Sequence, residues 1–215
     1  MSHWIFDVLL NPDAFFRERA DKAPGLMVPF ILVLIAGIIG AVTAYLTMTA
    51  MLPSLPSEMQ GFVGLIGITT AVGIVIFSLI IWAVQALVFY ALSSFYNGSG
   101  DLKKSLEAVG YGYVPLIVSA LITLGLTYSF LSSFTFPAID FTDPAASAAF
   151  QEMIRKSPLL QAGQVLGVIF LVWAANIWIF GIKYARTITT RDAAVVVGVP
   201  VVLYIVYQII ILGVL

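Results

Sequence analysis

Five stretches of this chain run for twenty residues or more without an Asp, Glu, Lys, Arg or His: about 26–50, 66–92, 113–132, 160–182 and 193–214. About 20 apolar residues cross a bilayer as a helix. A charge-free segment of that length has no water to satisfy its peptide groups in lipid, so it must pair them internally. The runs are continuous and do not alternate, which argues against barrel strands. Only 10% of the residues are charged, against about 25% in soluble domains, and the mean hydropathy is +1.06. These features predict an all-α polytopic membrane protein, a bundle of about five transmembrane helices plus short interfacial helices. The second run can be extended back to Phe62, longer than a perpendicular crossing needs, so it tilts or starts irregularly near Gly61, Gly64 and Gly67.

The connections predict an orientation. Arg17, Arg19 and Lys22, then Lys103 and Lys104, then Lys183, Arg186 and Arg191 fall on one side of five spans. The other side receives Arg155 and Lys156 together with Glu58, Asp140, Asp143 and Glu152. The positive-inside rule then puts the N-terminus in the cytoplasm and the C-terminus outside. No cleavable leader is expected, because the apolar run in residues 1–11 is short and no basic region precedes it. Residues 1–25 read as a cytoplasmic segment and 26–215 as the transmembrane domain. In the first segment Asn11-Pro12 has the form of an N-cap followed by proline at the first helical position. With Trp4, Ile5, Val8 and Leu9 upstream it suggests a helix in the headgroup region. Asp143-Pro144 opens a second short surface helix, with Phe150, Met153 and Ile154 on its apolar face.

Little in the sequence carries chemistry. There are no cysteines, which excludes disulfides and thiol chemistry. A net charge of −1 offers no field for nucleic acid. No ionisable residue lies inside a span, where proton- or ion-coupled transport usually needs one. His3 is the single histidine, no cluster has metal spacing, and no cofactor is expected. Ser99 sits in Asn97-Gly98-Ser99-Gly100, a turn composition with no base in evidence. Gln85, Asn176 and Gln208 fall inside spans and should face the bundle interior, as interhelical hydrogen bonds or as the lining of a polar pathway. Ala36/Gly40, Gly67/Ala71 and Gly163/Gly167 permit close helix approach, within one chain or between two. Tyr90, Phe95, Tyr96, Tyr111, Tyr113, Trp178 and Tyr184 read as an interfacial aromatic belt. Between spans two and three, a glycine turn leads to an Asp101 cap and a short amphipathic helix ending at Gly110.

Four of these features together resemble the Ypt-interacting-protein (Yip) domain family in its short prokaryotic form. They are Asn11, Pro12, Phe15 and Phe16 before the first span; Gly100 and Asp101 leading to Gly110, Tyr111 and Pro115; the Trp178–Ala185 end of span four; and Thr190–Ala194 opening span five. The resemblance implies five spans, a cytoplasmic N-terminus and a non-enzymatic membrane protein. Eukaryotic members act in early secretory traffic and interact with Rab-type GTPases and with one another. This chain lacks their long N-terminal region and its Asp-Leu-Tyr-Gly-Pro element, which argues against a Rab-type partner. The leading expectation is a scaffold or adaptor in a prokaryotic cell membrane. It would assemble with itself, other membrane proteins or anionic headgroups through a basic face of Lys103, Lys104, Lys183, Arg186 and Arg191. A small-solute or lipid transporter is the alternative, and an intramembrane enzyme the third reading.

Overall fold

The computed structural model describes residues 4–54, 61–136 and 143–211. His3, Glu58, Asp140 and the end of the fifth predicted span lie outside them. Two short helices come first, α1 (Trp4–Leu10) and α2 (Pro12–Arg17), followed by α3 (Met27–Ala50) and α4 (Val63–Ser93). Next come α5 (Leu102–Tyr111), α6 (Tyr113–Ser133), α7 (Pro144–Arg155), α8 (Pro158–Arg186) and α9 (Thr190–Ile211). Five helical segments are long and apolar enough to cross a membrane: α3, α4, the α5–α6 run, α8 and α9. The chain is a multi-pass, all-helical membrane protein.

The glycine-rich start of span two is regular helix from Val63 onward, so the expected irregularity there is absent. The third crossing is α6, over Tyr113–Ser133, and α5, a short amphipathic helix carrying Lys103, Lys104 and Glu107, leads into it through Gly112 alone.

In each crossing only 17–33% of the most apolar stretch is buried, so most of the surface these helices present is apolar and outward. In water that would be untenable; lipid tails solvate it without penalty. Cohesion comes from close packing. A Cβ built on Gly40 would lie 3.4 Å from Ile74 Cγ2, one on Gly67 3.2 Å from Tyr45, and one on Gly163 3.5 Å from Thr123 Cγ2. These small residues therefore serve α3–α4 and α6–α8 contacts within one chain. Gly167 has open space beside it.

α1, α2, α5 and the α8–α9 connection gather at one end of the bundle, called the proximal end below. At the other end Asp143 caps α7, its Oδ1 accepting from Ala145 N–H at 2.8 Å. Phe150 of α7 packs with Phe130 and Phe136, giving this helix the apolar anchor its sequence predicts.

Candidate functional site

The proximal end is organised by α5. Asp101 caps it, with Oδ1 accepting from Lys103 N–H at 3.1 Å. Its face of Ser105, Glu107, Ala108, Val109, Gly110 and Tyr111 is buried among α3, α4 and α8. Two indoles hold it in place. Trp82 Nε1 donates to the Leu106 carbonyl at 2.9 Å, and Trp178 Nε1 to the Val109 carbonyl at 2.8 Å. Such closeness needs glycine. A Cβ on Gly112 would overlap the Trp178 indole, and one on Gly110 would overlap Pro29. On α8, a Cβ at Gly181 would come within 2.8 Å of Ala108 Cβ. The Gly110, Tyr111 and Pro115 signature is thus a packing signature: glycine lets α5 touch α3, and Pro115 stands buried in the first turn of α6, where a missing N–H is harmless.

Residues 4–22 form a strap over this wedge. Asn11 caps α2, its Oδ1 accepting from Ala14 N–H at 3.3 Å, with Pro12 at the first helical position. The cap turns Phe15 and Phe16 inward. Phe15 meets the Tyr111 ring edge-on at 4.9 Å, and Trp4 meets the same ring at 5.8 Å. Above this cluster lies Arg19, its guanidinium 5.1 Å from the Tyr111 ring centre. Arg19 Nε and Nη2 both donate to Glu107 Oε1, at 3.0 and 2.7 Å, and Glu107 is only 7% exposed. Asp13 is a second anchor. Lys183 Nζ donates to its Oδ1 at 2.7 Å, Tyr184 to the same oxygen at 3.0 Å, and Arg17 Nη2 to Oδ2 at 2.5 Å. The Lys183 hydrogen bond is the chief cause that pulls the Asp13 carboxyl down to about 2, working against partial desolvation. A third link runs from Lys104 Nζ to the Ala20 carbonyl.

Arg186 contradicts its predicted place on an exposed basic face: it is 3% exposed. Its Nε donates to Ser93 Oγ at 2.7 Å, Nη1 to the Gly100 carbonyl at 2.5 Å and Nη2 to the Gly98 carbonyl at 2.6 Å. The guanidinium centre lies 4.0 Å from the Tyr90 ring centre. In return Ser99 N–H donates to the Arg186 carbonyl at 2.9 Å. The 97–100 turn, with Asn97 at φ 55° and Gly100 at φ 114°, is folded around this side chain. The physical reason is α8 itself, which ends at Arg186 with Thr187 left-handed at φ 54° and so aims the guanidinium back at the α4–α5 connection.

The other predicted residues divide the same way. Lys183 and Lys104 are tied to the strap, while Lys103 and Arg191 are exposed, as is Lys22. An open cleft of about 620 Å³ lies between the strap and the α8–α9 connection, lined by Asp21, Asp101, Lys104, Lys183, Thr187 and Thr189 among others. Its lining is of mixed charge. The expected aromatic belt also splits: Tyr111, Tyr113 and Trp178 are buried, whereas Phe95 is 83% exposed.

The intramembrane polar residues do not converge. Asn176 is exposed, against the expectation that it faces inward; Gln85 and Gln208 are half-buried. Gln208 Nε2 donates to the Tyr204 hydroxyl one turn away at 2.7 Å. From the α8–α9 connection, Asn176 lies about 15 Å along α8 and Gln208 about 27 Å along α9 at a rise of 1.5 Å per residue. That difference in depth keeps them from lining one chamber. No group of three or more metal-ligating side chains occurs among the described residues. Sequence reasoning missed Asp13, Arg19, Glu107 and Trp82; a lone carboxylate, Glu107, on the apolar side of a short amphipathic helix was the available signal for a buried ion pair.

An uncharacterized protein of the archaeon Methanocaldococcus jannaschii is 32% identical over 124 residues, 58% of this chain and 88% of that protein. No solved structure matches. The model of the Yip1 domain matches residues 6–212, a region that takes in α2, the α5 wedge, the Arg186 clasp and all five crossings. With the wedge, the bundle and the strap from Phe6 onward inside that match, the chain belongs to the Yip1 domain family.

Proposed function

We propose that this protein is a non-enzymatic membrane scaffold whose proximal end faces the cytoplasm and holds headgroups or cytoplasmic segments of other membrane proteins. The observation that carries the reading is the way the proximal end is tied together. Arg19–Glu107, Asp13–Lys183 and Arg186–Gly98 join segments 88 to 170 residues apart into one preorganised surface with an open cleft. Preorganisation lowers the entropy lost when a partner docks. Exposed Lys22, Lys103 and Arg191 supply positive charge for the anionic leaflet surface, about 1 kcal/mol per residue near it. The cytoplasmic placement follows from the eight basic residues on that side. The separate depths of Asn176 and Gln208 weigh against the transporter alternative.

Because the chain has no cysteine, one experiment tests both parts. Lys103→Cys and Arg191→Cys should react with a membrane-impermeant maleimide only in inside-out vesicles. The double variant Lys103→Glu/Arg191→Glu should retain several-fold less phosphatidylglycerol than the parent when both are purified in the same detergent. Labelling from outside the cell would overturn the orientation, and unchanged lipid retention the role of these cations.

A further inference from the structure

We propose that the cleft between the strap and the α8–α9 connection is a headgroup site selective for a zwitterionic aminophospholipid, with Lys104 on the phosphate and Asp21 and Asp101 on a primary ammonium. The inference rests on the reading that the proximal end holds headgroups, and names the kind it holds. Two carboxylates, Asp21 and Asp101, and two ammonium groups, Lys104 and Lys183, line this cavity of about 620 Å³. Lys183 is already paired with Asp13 at 2.7 Å. Lys104 is not. Its Nζ donates to the neutral Ala20 carbonyl, and among the described residues no carboxylate lies within 4.0 Å of it. An ammonium has three donors, so two of them and the whole positive charge remain available. Asp101 Oδ1 accepts from the Lys103 N–H at 3.1 Å, and its other oxygen has no partner among the described residues. Asp21 makes no ion pair and no side-chain hydrogen bond among them. Both carboxylates are exposed.

One uncompensated cation and two uncompensated anions thus border a single cavity. A ligand with only negative charge meets two repelling carboxylates there. A ligand with only positive charge leaves Lys104 unanswered. A phosphate diester with an ammonium two carbons away matches both signs. The ammonium must carry hydrogens, because an ionised carboxylate only accepts. A trimethylated nitrogen has none to give and is recognised instead on aromatic faces. Tyr184 is the one ring in the lining, and its face is taken: Lys183 Nζ lies 4.6 Å from the ring centre. The level of the cleft suits a headgroup. Lys183 follows directly on the charge-free stretch of α8, and Thr189 comes just before that of α9. The acyl chains can therefore stay in the bilayer while the headgroup enters. Exposed Lys22, Lys103 and Arg191 act differently, on the anionic leaflet as a whole.

The test offers the intact chain, in one detergent, equal amounts of phosphatidylethanolamine, phosphatidylglycerol and phosphatidylcholine, and counts the retained lipid by mass spectrometry. Phosphatidylethanolamine should be retained about fivefold over each of the others, the effect of one solvent-screened ion pair. Asp21→Asn/Asp101→Asn should abolish that preference without lowering phosphatidylglycerol retention. Asparagine still caps α5, so this variant should keep the parent melting temperature. Glycerophosphoethanolamine, the same headgroup without acyl chains, should displace little of the lipid at equimolar concentration. Full displacement would assign the cleft to a soluble ligand and overturn the lipid assignment. Equal retention of all three lipids by the parent, or a preference that survives the double substitution, would overturn this inference and leave the broader headgroup reading standing. Retention of no lipid at all would overturn both.

Discussion

Replacing Arg186 by Gln separates a buried clasp from a basic surface. The substitution removes three donors at once, from Ser93 Oγ and the Gly98 and Gly100 carbonyls. Each acceptor left without a partner costs about 1–3 kcal/mol. Gly100 and its neighbours border solvent, so water recovers part of that, and the loss settles near 3–4 kcal/mol. For a chain of this size that lowers the melting temperature by on the order of 10 °C. Arg191→Gln is the internal control. It removes the same charge from an exposed position and should stay within about 0.5 kcal/mol. Thermal unfolding in one detergent, followed by tryptophan fluorescence, measures both. Hydrogen exchange localises the change: amides of residues 97–100 should lose protection in the Arg186 variant and keep it in the Arg191 variant. If both variants melt within 2 °C of the parent, the guanidinium is not the keystone its contacts make it.

Four further outcomes follow from other contacts at the proximal end. Asp13→Asn should loosen the strap by about 1 kcal/mol or less, since its ion pair is partly exposed and solvent-screened, and raise exchange in residues 4–17 without unfolding the bundle. The folded carboxyl titrates at about 2, below its ordinary 3.8; its contribution is therefore complete above pH 3.8 and lost as pH falls through about 2, which strap exchange in an acid series should trace. Gly112→Ala should destabilise by about 1–3 kcal/mol, because its Cβ would overlap the Trp178 indole, while Gly125→Ala, with open space beside it, should be neutral or stabilising in a melting assay. Trp178→Phe keeps the ring but leaves the Val109 carbonyl without its indole donor, and should cost about 1–3 kcal/mol by the same measurement.

The crossings are legible in the sequence because lipid imposes one requirement on every segment, length without charge, and α3, α4, α6, α8 and α9 each declare it. The caps at Asn11, Asp101 and Asp143 are equally legible, since a cap acts on amides two or three residues away. Arg186 is not. A basic residue one turn beyond an apolar run can reach out to headgroups or fold back onto carbonyls, and its acceptors at Ser93, Gly98 and Gly100 lie 86–93 residues away. The same ambiguity misplaced Tyr111 and Trp178 in an aromatic belt: a ring at a span end reads identically whether it faces lipid or packs beneath a strap. Asn176 failed for a different reason. The rule that polar residues point inward holds for helix flanked only by lipid and helix, and the strap reaches this stretch of α8, where Trp173 Nε1 donates to the Leu9 carbonyl at 3.1 Å.

The strap carries a consequence for biosynthesis. Its residues are made long before their partners on α8: Asp13 rests on Lys183, 170 residues later, and Phe16 lies beside Gly181. Until α8 has entered the bilayer, Asp13 lacks its lysine and Phe16 its place beside Gly181, while Trp4 and Phe15 already have Tyr111 of α5 to pack on. Closure of the strap therefore waits for α8, and a polypeptide arrested before it displays the Phe16 ring to whatever surveys unfinished membrane proteins.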